Sequence, residues 1–427
     1  MMNIPFNVGV IALLFALVTP TLQASSERTG LCTKPAAIDE KQLVAMSLEC
    51  APSIEAFKNT LKAANYDVDV AGRFAEPRLG ISVAPETYGL DQVDDGYQLE
   101  FTQTLPWPGE RSLEKSLAKS GVEKQKARLR YEQIRVAEQV KQAYAHWQYA
   151  IALQAISRQQ LIILEQITEQ LVARYRSGHS PRSALLQARQ RLLQLRRDTD
   201  AIEVQVEQRR LELSAVSGVH GIYPSEAAEA SLLGPAEMYL NAGLDQLDQH
   251  PELLLLKSAQ FDVDYRLAQE KKDRLPDVSL VARYNTLWED EDKRWMIGVG
   301  MNLPLDFSKR RAKEDSLSAQ ADALRWQQRD RRLQIETAIR QRYLSWQELA
   351  DTYQLYSREL LPLAEEQLEA SLSDYRAGAI DFQSLLIAQQ EVLATKTRYA
   401  AAQRDLVTSR ADFIAAAGLI YFEELTP

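Results

Sequence analysis

The sequence Tyr-Arg-x-Gly occurs twice in this 427-residue chain, at Tyr175-Arg176-Ser177-Gly178 and at Tyr375-Arg376-Ala377-Gly378, two hundred positions apart. Downstream, Leu185, Leu186, Ala188, Gln190 and Leu193 meet Leu385, Leu386, Ala388, Gln390 and Leu393. Upstream, Tyr144 and Trp147 answer Tyr343 and Trp346, Leu105-Pro106 answers Leu303-Pro304, and Pro77 answers Pro276. Self-similarity at a fixed offset means one structural unit built twice. No other feature restricts the fold as strongly.

Each unit passes through two kinds of patterning. Ile54, Phe57, Leu61 and Ala64 recur at helical spacing. Then Leu79, Ile81 and Val83 alternate with small or polar residues and, after a turn-rich stretch that includes Asp94-Asp95, so do Tyr97, Leu99 and Phe101. That is two strands joined by a polar loop, closed by the prolines of Leu105-Pro106-Trp107-Pro108-Gly109. From Glu110 to Ser177 no proline interrupts the chain, which predicts a helix ~100 Å long. Gly178 and Pro181 then mark a turn, and a return helix runs to Ser217. The second unit repeats this order: a helix from about Ala242 to Lys272 interrupted near Pro251, and strands over about 276–303 separated by the charged stretch Glu289 to Arg294. A long helix from Lys309, with a kink expected at Pro362, then turns at Gly378 and returns over Ile380 to Ala417. The expected organisation is a first repeat over 25–220 (strands about 77–105, hairpin about 110–217), a linker over 221–242, and a second repeat over 243–427 (strands about 276–303, hairpin about 309–417). The fold class is mainly α with a minor β part.

The first 24 residues hold no charge, and Val8 to Val18 form an apolar run that ends near Leu22-Gln23-Ala24, which reads as a secretory signal peptide. The two cysteines of an exported chain, Cys32 and Cys50, are then expected to form a disulfide, ahead of lipid attachment at Cys32 or a two-cysteine metal site. A formal charge of -9 argues against nucleic acid, whose phosphates call for a basic face.

Four strands of nine or ten residues in an otherwise helical chain match the length that crosses a bilayer when tilted in a barrel. Tyr88, Tyr97, Trp107, Tyr284, Trp288 and Trp295 flank them as candidates for interfacial girdles. Four strands cannot close a barrel, and lipid does not tolerate open edges, so further copies of the chain must supply the missing strands. The alternative is two soluble hairpins packed on helices.

These elements in this order resemble the TolC-like outer membrane efflux proteins. The resemblance is carried by Leu105-Pro106-Trp107-Pro108-Gly109-Glu110-Arg111 and by the two Tyr-Arg-x-Gly turns with their Leu-Leu-x-Ala continuations. It implies a homotrimer whose twelve-stranded outer-membrane barrel continues as a periplasmic α-helical barrel. It also implies a periplasmic adaptor docking at the hairpin tips (Tyr175, Arg176, Ser177, Gly178, His179, Tyr375, Arg376, Ala377, Gly378 and Ala379) and an inner membrane transporter of the resistance-nodulation-division type. The strand-end sequence looks most like the heavy-metal branch; multidrug efflux and type I protein secretion are the other cargo readings. Some relatives carry an acidic constriction after the second turn. Here those positions are Ser384 and Ile387, and Ser183-Ala184 stands where a gating acid would lie in the first hairpin, which leaves Asp374, Asp381 and Ser384 as gate candidates.

The glycines need no partner to explain them, since a helix end in left-handed conformation favours a residue without Cβ. Tyr175 and Tyr375 read either as staples between helices or as interface rings, and Arg176 and Arg376 also suit a helix C-terminus. No phosphate loop, nucleophile elbow or His-based metal motif is present, and His146, His179, His220 and His250 are scattered. No catalytic, cofactor or metal set is expected. A periplasmic adaptor would need a Gly/Val-rich β domain the chain lacks, and a coiled-coil scaffold would not need two strand pairs.

Overall fold

The computed structural model describes residues 32, 36–85, 96–224, 235, 237–288, 290–303, 305–421 and 423. The predicted signal segment, Tyr88, Asp94-Asp95, Glu289, Pro304 and residues 225–234 of the linker lie outside the described residues.

In chain order the elements are β1 (Ala36–Ile38), α1 (Glu40–Cys50), α2 (Pro52–Val70), β2 (Arg78–Ala84), β3 (Gly96–Leu105), α3 (Glu110–Arg176), α4 (Arg182–Ser217) and β4 (Ile222–Pro224). The second repeat follows with α5 (Glu237–Asp245), α6 (Pro251–Lys272), β5 (Asp277–Asn285), β6 (Trp295–Asn302), α7 (Phe307–Leu355), α8 (Leu361–Ala377) and α9 (Phe382–Ala416). The duplicated order of helix, strand, strand, long helix and return helix is the one the sequence predicts. Two additions are local. β1 pairs in parallel with β4, so the stretch expected as linker takes part in a small sheet. An extra helix, α1, stands before α2 and is tied at its end by a disulfide between Cys32 and Cys50.

The strands form one antiparallel sheet in the order β2-β3-β5-β6, uniting both repeats. Trp107 bolts the sheet to the helices: its indole Nε1–H donates to the carbonyl of Pro276 at 2.8 Å, and its backbone N–H donates to Glu110 in the first turn of α3 at 2.9 Å. Trp107 is thus a corner residue joining the repeats at Pro276.

Away from the sheet, α2, α3, α6 and α7 pack side by side, and farther out the row becomes α4, α3, α9 and then α7 with α8. Return helices end where the preceding short helices begin. Gly218, at φ 69°, lies against the carbonyl of Cys50, and Gly418, at φ 79°, against the His250 ring. A Cβ at either glycine would meet its neighbour at 2.7 Å, closer than any side chain allows.

Two clusters of matching design hold this middle zone. Trp147, 2% exposed, packs with Leu43, Ile54, Val140 and Leu213, and Tyr144 meets it edge-on at 6.1 Å. Trp346, 0% exposed, packs with Leu247, Leu253, Ile339 and Phe413, and Tyr343 meets it edge-on at 6.5 Å. The copies differ in chemistry at the start of the following helix. His250, before Pro251, stands where the first repeat has Ala51 before Pro52. Its buried ring accepts the Glu252 backbone N–H at 3.3 Å, and burial lowers its pKa below the ordinary histidine value, with Glu252 opposing and Arg331 reinforcing the shift.

Pro362 disturbs α7 and α8 as expected, but as a widened turn. Tyr356–Leu360 forms a single π turn between the two helices. Proline lacks the N–H its helix would use and crowds the preceding turn, and one extra residue per turn absorbs both problems.

Candidate functional site

Three surfaces of the chain lack a complete packing partner among the described residues: the hairpin tips, the open ends of the helix row and the open sheet.

Both tips are built by the same backbone rule. The N–H of Gly178 donates to the Tyr175 carbonyl at 3.0 Å and that of His179 to Arg174 at 2.8 Å. Gly378 and Ala379 repeat these bonds to Tyr375 and Asp374 at 3.1 and 2.8 Å. Each glycine has positive φ, 77° and 80°, which allows the helix carbonyls to be capped as the chain reverses.

The side chains at the tips diverge. Tyr375 is 5% exposed and packs edge-on against Phe382 at 6.5 Å. The Arg174 guanidinium stacks 4.8 Å over its ring and donates to its carbonyl at 3.0 Å. Tyr175 is 41% exposed. Tyr375, counted from the sequence among docking residues, is therefore turned inward and joins the two hairpins, and its hydroxyl is buried without a hydrogen-bond partner among the described residues. The other nine tip residues are exposed. His179 and Ser177 lie within hydrogen-bond distance through Nδ1 and Oγ at 3.0 Å.

The gate candidates separate likewise. Asp381 is the N-cap of α9: its carboxylate accepts the Ser384 backbone N–H at 2.9 Å and the Ser384 hydroxyl at 2.8 Å, which lowers its pKa below the usual carboxylate value. The matching residue in the first repeat is Pro181. Asp374 is exposed on α8.

The helix row ends in α4 on one side and in α7 with α8 on the other. Both outer helices carry exposed apolar side chains spaced at seven or eleven residues: Leu186, Leu193, Val204 and Leu211 on α4, and Trp326, Leu333, Leu344 and Leu355 on α7. Such spacing keeps a stripe on one face of a long helix, as needed where helices pack side by side. Our sequence reading missed these stripes, although the 7/11 spacing is present in the sequence.

The sheet is open at β2 and β6, and its register sorts most side chains by face, with Gln103 the polar exception on the apolar face and Val281 and Met296 the apolar exceptions on the polar face. One face carries Leu79, Ile81, Val83, Tyr97, Leu99, Phe101, Leu280, Tyr284, Trp295, Ile297, Val299 and Met301. Tyr284 lies between Tyr97 and Trp295, with ring centroids 6.1 and 5.1 Å away, at the loop end of that face. The other face carries Ser82, Gln98, Glu100, Thr102, Ser279, Arg283, Gly298, Gly300 and Asn302. There Arg283 donates to Glu100 at 2.6 Å across the β3–β5 pair. A sheet with one apolar face, aromatic residues at its end and a polar opposite face is made to separate lipid from water. No described helix is long and apolar enough to cross a membrane, and no described group of three or more His, Cys, Asp or Glu side chains is arranged to hold a metal ion.

A two-faced sheet continued by a row of long helices, each built twice within one chain, defines a class of membrane protein that reaches far into an aqueous compartment. The family model of outer membrane efflux proteins matches residues 43–219 and 245–419, one block in each repeat, and the chain belongs to that family. Its place is the outer membrane. Solved structures share the fold at low identity. A structure of CusC has a TM-score of 0.75 at 15% identity, covering 94% of this chain and 96% of that one. The outer membrane protein VceC from Vibrio cholerae gives 0.70 at 18%, covering 89% and 96%. The open state of the MtrE outer membrane channel from Neisseria gonorrhoeae gives 0.73 at 15%, covering 89% of each chain. No curated protein sequence matches the chain.

Proposed function

We propose that three copies of the chain close into one duct, with four strands from each copy making a twelve-stranded barrel and the helix rows making a tunnel below it. The duct conducts solutes passively from an inner membrane transporter of the resistance-nodulation-division type, delivered through a periplasmic adaptor, to the exterior. Conduction requires no chemistry on the cargo. The observation that carries this reading is the coincidence of open edges. β2 and β6 end the sheet on the same chain whose α4 and α7 end the helix row with exposed apolar stripes. Unpaired strand edges are not tolerated in lipid, and ring closure satisfies sheet and helices together.

The exposed tip residues Arg176, Ser177, Gly178, His179, Arg376, Ala377, Gly378 and Ala379, with Tyr175 beside them, are the adaptor-facing surface in this reading. Heavy-metal ions are the cargo we favour, on the resemblance of the Pro106-Trp107-Pro108-Gly109 corner to that branch. Outer membrane fractionation, detergent extraction and bilayer conductance test the duct. A heat-modifiable oligomer that conducts ions is expected, and recovery of the chain as a soluble monomer would overturn the reading. Deletion followed by susceptibility tests against metals, dyes and antibiotics tests the cargo: selective sensitisation to metals is expected, and sensitisation to dyes and antibiotics alone would reassign it.

A further inference from the structure

A cleft of about 800 Å³ opens between α2, α3 and α6, apart from the sheet and the tips, and its size suits a small ligand. Along α3 it runs from Ser116 to Arg130, ~21 Å of helix. Lys119 and Lys126 on its wall fall in the seven-residue row of α3 that continues to Val140 and Trp147. α1 packs against that row through Leu43. The same face of α3 is therefore covered in the middle zone and bare between there and the sheet.

The lining combines two chemistries. Val68, Val122, Ala127 and Phe261 supply apolar surface, and the Phe261 ring is 46% exposed. Lys119 and Lys257 are the chain neighbours of Ser120 and Ser258, where α3 meets α6 with the Ser120 hydroxyl 3.4 Å from the Ser258 carbonyl. Both lysines are exposed, and neither has a carboxylate partner among the described residues, whereas Lys126 is paired with Glu123 at 2.7 Å. Two like charges brought to one cleft favour an anion between them. The duplication supplies a contrast. By the offset that relates Trp147 to Trp346, Lys119 becomes Ser318, and Leu254, Lys257 and Phe261 answer to Glu55, Lys58 and Lys62. An acid and a lysine replace the apolar pair, so the other repeat has no equivalent site.

We propose that this cleft binds a single-chain anionic lipid, with its head between Lys119 and Lys257 and its chain lying on Phe261, Val122 and Ala127. Lys119 is nine residues past Glu110, ~14 Å of helix from the end of the sheet whose apolar face meets lipid. A source of such lipids is therefore close at hand. The site is complete within one chain and does not depend on ring closure. Charge-assisted hydrogen bonds hold the head, and the apolar floor takes the chain out of water. A neutral alcohol of the same chain length lacks the first interaction, and a small inorganic anion lacks the second.

The full chain in phosphatidylcholine nanodiscs tests this with a photoreactive palmitate, followed by proteolysis and mass spectrometry of the labelled peptides. Label is expected on the peptides that contain Lys119 to Arg130 and Leu254 to Tyr265. Unlabelled palmitate and lysophosphatidylglycerol are expected to compete it away, and hexadecanol and inorganic phosphate are not. The relative potency of the first two decides whether the preferred head is a carboxylate or a phosphate. Lys119→Gln with Lys257→Gln is expected to cut the labelling of those peptides about tenfold, the scale of losing hydrogen bonds to a charged group. Lys119→Arg with Lys257→Arg is expected to retain it. Both lysines are exposed, so neither change depends on refolding a core, and bilayer conductance of the variants is expected to stay unchanged. Label confined to strand peptides, equal competition by hexadecanol, or undiminished labelling of the glutamine variant overturns the proposal. Displacement by polyglutamate but not by lysophosphatidylglycerol overturns the lipid in favour of an acidic polymer. A chain that takes the label at this cleft without conducting supports the site and refutes the duct alone.

Discussion

The surroundings of Trp147 and Trp346 have stayed alike since duplication, whereas the two hairpin tips have parted. Around each tryptophan a tyrosine three residues earlier meets the indole edge-on, and both indoles are buried. At the tips one tyrosine is buried beneath Arg174 and its counterpart is exposed. Positions that pack within one repeat answer to the same neighbours in both copies, so duplication preserves them. Positions where one repeat meets the other face different neighbours on their two sides, and they are free to differ.

That contrast can be broken most forcefully at its conserved side. Trp147→Ala and Trp346→Ala should each cost ~3–5 kcal/mol, the usual loss for deleting a buried aromatic. Urea melts followed by circular dichroism measure both, and a loss at one site far below the other would show that the clusters are not equivalent. Next in size is the cross-link found only in the first repeat. Replacing Cys32 and Cys50 by serine should remove about 3 kcal/mol, by the loop-closure relation for a span of this length. The destabilisation should appear first as hydrogen exchange in α1, with the second repeat unchanged.

Smaller effects sharpen the divergent side. Tyr375→Phe removes a buried hydroxyl that lacks a partner among the described residues, so it should be neutral or stabilising by about 1 kcal/mol. Tyr175→Phe, at the exposed counterpart, should leave the melting midpoint of the isolated chain unchanged. A destabilised Tyr375→Phe protein would place a working hydrogen bond at that hydroxyl. The smallest effect is set by pH. Because burial lowers the folded-state pKa of His250, the unfolded chain binds the proton first as pH falls. The contribution of a neutral His250 is thus complete above the unfolded value of about 6.5 and is lost as pH drops below it. His250→Gln should flatten this part of the pH–stability profile, and an unchanged acid slope would assign the proton uptake to another group.

Much of this was legible in the chain itself. A strand announces itself by alternation, so Leu79-Gly80-Ile81-Ser82-Val83 could be placed from sequence. The tip glycines were readable because only a residue without Cβ sits easily at a left-handed helix end. The π turn was only half legible: Pro362 signals a disturbance, but whether a helix answers by bending or by widening depends on what packs around it. The partnership of Arg174 with Tyr375 left no local trace, since a residue on α3 meets one two hundred positions later only when the hairpins lie side by side. Asp381 shows a local role that the sequence reading passed over. An acid beside a turn invited a pore reading, and its carboxylate also caps α9 through Ser384.

Sequence alone determined that this protein is one unit written twice, with membrane-length strands and hairpins too long to bury themselves in a compact core. Those properties are periodic, and periodicity survives in one dimension. The tertiary structure decided which copy of each position lies inside the chain and which is left at an open edge. That choice depends on which surfaces meet, and identical Tyr-Arg-x-Gly steps take opposite environments because their neighbours come from distant parts of the chain.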